Sequence, residues 1–231
     1  MELALALEAD GTLSRCQPAS RQMGVAMEWS GKRLLITGAC SGIGAATAEA
    51  AAKRGAQLAL VARSADKLEA VVQRIRQNGG IATTHAFDAS GPEQVKRLAE
   101  AVPTPDVLFN NAGAGCWKPL VETEPAEAAT MIGAPCLAGF YTTRAFLPAM
   151  LSRRSGVCRF RNSAASHPVW SGAAAYTAAR WAVRGLFEAV RAETAGTGVQ
   201  AAMATFAEVS SLAGDFAAEH GGGRSKRPNR R

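Results

Sequence analysis

The chain has 231 residues, 48% of them hydrophobic and 19% charged. That length and balance suit one α/β domain with a full core, and no apolar run approaches the ~18 residues of a membrane-spanning helix. The formal net charge of +7 is unevenly placed, because Arg224, Lys226, Arg227, Arg230 and Arg231 lie together at the C-terminal end. The remainder asks for no acidic partner.

Residues 1–26 precede the first strand pattern. Glu2, Glu8 and Asp10 interrupt their apolar residues. That makes a poor secretory signal and points to a leader or extension outside the fold. Leu34, Leu35 and Ile36 then form a short apolar run of the kind found in a buried parallel strand. The turn Gly38-Ala39-Cys40-Ser41-Gly42-Ile43-Gly44 follows, and a helical pattern begins over 45–54. A strand, a glycine turn and a helix N-terminus together make an anion cradle. The glycines let backbone approach a pyrophosphate, and the helix supplies free N–H groups and the positive end of its dipole.

Gln57–Ala62 reads as a strand, and 65–78 as a helix with Leu68, Val71, Val72 and Ile75 on one face. Gly79-Gly80 ends that helix. A strand over 81–87, a helix over 92–102 with proline in its first turn, and a strand over 106–109 come next. Strands alternating with helices of this length imply right-handed βαβ units. The predicted fold class is α/β, a doubly wound parallel sheet in three α/β/α layers.

Residues 126–151 read as one long helix interrupted at Pro135. The fifth strand, 156–162, carries Arg159 and Arg161 where a strand buried on both faces should be apolar. Either one face is open, or the arginines find partners, or the strand is distorted. A helix over 173–195, with Trp181 read as a core residue, and a sixth strand over 199–205 follow. After them stand only 212–220, three glycines and the basic run, with no signal for a further strand. The expected division is a leader (1–26), one dinucleotide-binding domain (27–215) and a solvated basic tail (216–231). The tail lacks aromatic interleaving, so nucleic acid is not an expected partner. The five cysteines, Cys16, Cys40, Cys116, Cys136 and Cys158, form no C-x-x-C pair. Neither a metal site nor a disulfide framework is expected, and the setting is read as reducing and cytoplasmic.

Three motifs stand in order. Thr37-Gly38 leads to Gly42-Ile43-Gly44; Asn110-Asn111-Ala112-Gly113 follows the fourth strand; and Ser163 lies thirteen residues before Tyr176, which is followed at i+4 by Arg180. In this combination the chain resembles the short-chain dehydrogenase/reductase family, from about residue 29 to 211. That resemblance implies a Rossmann fold and an oxidoreductase that interconverts a carbonyl and an alcohol on an apolar small molecule. It implies Gly38, Cys40, Ser41, Gly42, Ile43, Gly44, Asp88, Asn110, Asn111, Ala112, Gly113, Tyr176, Arg180, Val209 and Ser211 at the cofactor. Ser163, Tyr176 and Arg180 would be the catalytic group. It leaves a homo-oligomer open.

The chemistry of these residue types can be weighed alongside. An acid at the end of the second strand would hold the ribose of NAD; Arg63 stands there instead and suits the 2′-phosphate of NADP. NADP is therefore the expected cofactor, with NAD second, and a solvated surface arginine is the plain alternative. Asp88 is either an adenine contact or an Asx turn before Pro92. A tyrosine phenol can supply the proton that hydride transfer to a carbonyl requires, and a neighbouring cation favours its ionised form. Tyr176 and Arg180, four apart, share a helix face. The family has lysine at position 180. Arginine keeps the charge but holds its proton too tightly for a relay. No asparagine stands at 135 or 136, and Phe206-Ala207 replaces the family's Pro-Gly. These departures keep a second expectation alive: a nucleotide-binding pseudoenzyme or interaction protein of the same fold.

Overall fold

In a computed structural model of the chain, the described residues are 5–7, 13–15, 28–113, 115–169 and 171–206. Val209, Ser211, the stretch 212–220, the basic tail and Trp170 lie outside them. Near the N-terminus, β1 (Leu5–Leu7) and β2 (Leu13–Arg15) pair antiparallel with each other, and neither joins the main sheet. The rest of 1–26 falls outside the described residues.

The main sheet comprises β3 (Arg33–Thr37), β4 (Gln57–Ala62), β5 (Ile81–Ala86), β6 (Val107–Asn110), β7 (Gly156–Ser163) and β8 (Val199–Phe206). Every pairing is parallel, in the order β5-β4-β3-β6-β7-β8. The order reverses between β3 and β6, the switch point at which sheets of this kind open a crevice. Period-2 alternation sends Leu34 and Ile36 to one face and Leu35 to the other. On the first face Leu34, Ile36, Leu58, Leu60 and Phe109 meet the alanines of α1 (Gly42–Ala52) and the apolar stripe of α2 (Ala65–Gln77). On the second, Leu35, Leu108, Cys158 and Phe160 meet Leu98 of α3 (Pro92–Ala101), Phe146 and Met150 of α5 (Ala138–Ser152), and Val183 and Phe187 of α6 (Ala174–Glu193).

The long helix expected over 126–151 is present with its interruption resolved. α4 (Pro125–Ile132) runs into one π turn (Gly133–Leu137) and then α5. Pro135 has no N–H and would clash in an α frame. Across the π turn, Ala138 N–H donates to Gly133 C=O five residues back, which carries the hydrogen-bond frame past the ring. The helix therefore continues rather than ending.

The conflict in β7 resolves for Arg159 through an open face, whereas Arg161 keeps a buried donor without an acceptor among the described residues. Cys158, Phe160 and Asn162 are buried on the α5/α6 side, whereas Arg159 on the opposite side is exposed. The strand is not distorted, because it pairs in register with β6 and with β8 along its length. Trp181, read from the sequence as core, is instead 46% exposed on α6, with Arg184 Cζ 5.7 Å from its ring centroid.

Candidate functional site

The described residues singled out from the motifs lie at the C-terminal edge of the sheet, around the switch point. The hub is Thr37, the last residue of β3. Its hydroxyl accepts from the N–H groups of Asn111 and Ala112, both at 3.0 Å, and lies 3.5 Å from Phe109 C=O. Asn111 returns the tie: its Nδ2 donates to the carbonyls of Thr37 and Gly38, each at 3.0 Å. The glycine turn after β3 and the loop after β6 are thus joined across the crevice.

The closeness of that join explains two of the glycines. Gly38 has φ +65°, and a Cβ there would lie 2.8 Å from Ala112 Cα. A Cβ on Gly44 would collide with Gly38 O and with Asn111 Nδ2. Ala39 N–H also bonds Val61 C=O at 3.2 Å, which fixes the turn against the end of β4, two residues before Arg63. Arg63 is exposed. Cys40, Ser41 and Ile43 line the turn. Ser41 occupies the N-cap of α1 without a side-chain cap bond, and the first turn holds no acid. The leading N–H groups of α1 are therefore available to an anion.

Asp88 forms an Asx turn. Its Oδ1 accepts from Ser90 N–H at 2.9 Å and from Ser90 Oγ at 2.6 Å. Asn110 turns away from the crevice. Its Nδ2 donates to Thr143 Oγ1 at 2.9 Å, and its Oδ1 accepts from Thr142 Oγ1 at 2.6 Å, which pins α5 to β6. The side-chain oxygen of Asn111 is buried with no partner among the described residues.

Ser163 ends β7. Its Oγ accepts from Ala165 N–H at 3.3 Å, so its proton remains to be given. Tyr176 lies in the first turn of α6, with Trp117 at 6.2 Å between centroids. A Cβ built on Gly115 would lie 2.6 Å from Tyr176 Cε2, so the loop after β6 passes directly over the ring. Lys118 Nζ ties that loop to α4 through both oxygens of Glu127, at 2.7 and 2.8 Å. Arg180 Cζ stands 4.8 Å from the Tyr176 centroid, a cation over the ring face. Arg180 is only 2% exposed, and its Nε and Nη1 find no partner among the described residues. An ion held this way costs several kcal/mol unless something compensates it.

Two residues of this site were not picked out as such from the sequence. Thr37 was legible only as part of a glycine motif; a hydroxyl closing an otherwise apolar strand was its signal. Arg161 was registered as a conflict in β7, not as a site residue. Its guanidinium reaches the same loop: a Cβ on Gly113 would lie 2.7 Å from Arg161 Nη2 and 3.3 Å from Arg180 Nη2. Burial, and then the charge of Arg180, push the Arg161 pKa down to about 10, with Tyr176 acting weakly in the opposite sense.

A family model described as short chain dehydrogenase matches residues 32–215. A protein of Listeria monocytogenes named as an uncharacterized oxidoreductase is 37% identical over 171 residues, which span 72% of this chain and 69% of that one. Among solved structures, a metagenomic short-chain oxidoreductase in complex with NADP aligns at a TM-score of 0.73 and 35% identity, covering 78% of this chain and 83% of its own. A short-chain dehydrogenase/reductase from Burkholderia phymatum in complex with NAD aligns at 0.77 and 28% identity, covering 88% and 76%.

Proposed function

The chain belongs to the short-chain dehydrogenase family, and we propose that it is an NADP-dependent oxidoreductase that interconverts a carbonyl and an alcohol on a small molecule by hydride transfer. The observation that carries this reading is the stack at the crevice: Arg180 over the face of Tyr176, under the loop that Asn111 holds to the glycine turn.

The residues present fit a dinucleotide. The uncapped, acid-free start of α1 and the turn Gly38–Gly44 would take the pyrophosphate. Arg63, exposed and with no acid in its place at the end of β4, would take a 2′-phosphate. The neighbours solved with NADP and with NAD support the same class of ligand. Asn111, with its unpartnered oxygen, and Gly113 stand on the way to the catalytic group. Asn110 contributes by fixing α5, and Asp88 by shaping the turn after β5.

The bound dinucleotide supplies or accepts the hydride. Tyr176 would give its phenolic proton to the oxygen that gains charge, and Ser163 would donate a hydrogen bond to that oxygen. Arg180, on the ring face, steadies the negative charge left on the phenol. It keeps its own proton, so the replacement proton must reach Tyr176 by another route, such as solvent.

The test is NADPH consumption with a panel of aldehydes and ketones. Tyr176→Phe should cut turnover by roughly a hundredfold to ten-thousandfold while leaving NADPH affinity unchanged. Turnover that persists at the wild-type level in Tyr176→Phe would sink the assigned chemistry.

A further inference from the structure

Arg161 and Arg180 come from different elements, β7 and α6, and close on one point beside Gly113. Their Nη2 groups are no farther apart than the sum of their two distances from that point. Like charges repel, and Arg180 is 2% exposed. Yet none of the ion pairs among the described residues involves either one. Three of their donors, Arg161 Nε and Arg180 Nε and Nη1, are buried without an acceptor among the described residues. Two planar guanidinium forks that converge beside a glycine, with donors to spare, match the geometry of an oxyanion. Gly113 is exposed, and a Cβ there would press on Arg161.

We propose that Arg161 and Arg180 form an oxyanion-binding pair beside Tyr176, taking a carboxylate or a phosphate. The pair goes beyond the function proposed above, and its binding does not depend on that reading. The oxyanion has two possible sources: a phosphate of the dinucleotide, or the carboxylate of the compound being turned over. In the second case, which does rest on the proposed function, the carboxylate sits on the arginines and the carbonyl oxygen faces the phenol. Substrates would then be oxo acids rather than the uncharged apolar molecules that the sequence led us to expect. No covalent step is added; the pair binds and orients.

The experiment uses the full chain. Thermal melting is followed against sodium phosphate and sodium oxalate, with ionic strength held constant by sodium chloride. The wild type should show a saturable rise in Tm. In Arg161→Leu the midpoint of that rise should move to a concentration at least about tenfold higher. Arg161→Lys, which keeps the charge, should retain most of the effect. Should Arg161→Leu fail to melt cooperatively, phosphate protection of Arg161 against phenylglyoxal, mapped by mass spectrometry in the wild type, reads the same site. No saturable rise in the wild type, or equal midpoints in wild type and Arg161→Leu, overturns the pair. Repeating the titrations at saturating NADPH separates the sources. Loss of both anion effects assigns the site to the dinucleotide; a persisting oxalate effect assigns it to a substrate carboxylate. A chain that takes oxalate but not NADPH would contradict the proposed function alone.

Discussion

Thr37, Asn111 and Arg180 show how much of this site is decided by single side chains. The Thr37 hydroxyl receives two backbone N–H groups of the β6 loop, and Asn111 returns two bonds to the β3 turn, so each closes the other's unsatisfied groups. Arg180, at the position where the resemblance implies lysine, is buried against the ring of Tyr176. On β5, an outermost strand, His85 carries a different signature. Partial burial makes the charged imidazolium less favourable, so its pKa in the folded chain lies below the ordinary 6.5. The unfolded chain therefore binds the proton more readily, and stability is lost as pH falls through that range. Between about pH 7.5 and about pH 5, the wild-type Tm should fall by more than that of His85→Gln. Equal falls would contradict the assignment.

The helical layer over the second sheet face is set by Asn110 and by the π turn. Asn110 bonds Thr143 through Nδ2 and Thr142 through Oδ1, buried at the joint of β6 and α5. Asn110→Ala should cost about 1–3 kcal/mol, because it takes the donor from the buried Thr143 hydroxyl while Thr142 keeps Ala138 C=O, and should lower the urea midpoint without changing m. A change below roughly 0.5 kcal/mol would mean that the joint is held elsewhere. At this scale the sequence was readable wherever a pattern had one physical cause. Short strand-like runs between helical patterns gave β3 to β6, and the stripe of Leu68, Val71, Val72 and Ile75 gave α2. Pro135 signalled an interruption but not its form, because a kink, a break and a π turn all answer a missing N–H. Arg159 and Arg161 signalled a departure in β7 but not its solution. Whether a strand face is open depends on what packs against it, and that is a tertiary fact. Trp181 failed for the same reason: its bulk argued for the core, while its place on α6 left it outside.

Across the whole molecule the parallel order β5-β4-β3-β6-β7-β8 brings the three motifs, far apart in the chain, to one edge of one sheet. The motif residues were legible because each sits just beyond a strand, where a parallel sheet gathers its loops. The arginine pair was not, since its members are nineteen positions apart, on a strand and a helix, and nothing in their spacing says that they meet. The function proposed above requires a dinucleotide site at this edge that prefers NADP. The most direct test is titration of the purified full chain with NADPH and with NADH, following quenching of tryptophan fluorescence. Trp117, beside Tyr176, reports from the site itself. Saturable binding that favours NADPH is expected, with the preference lost in Arg63→Ala. No binding of either nucleotide by a sample that melts cooperatively would contradict it.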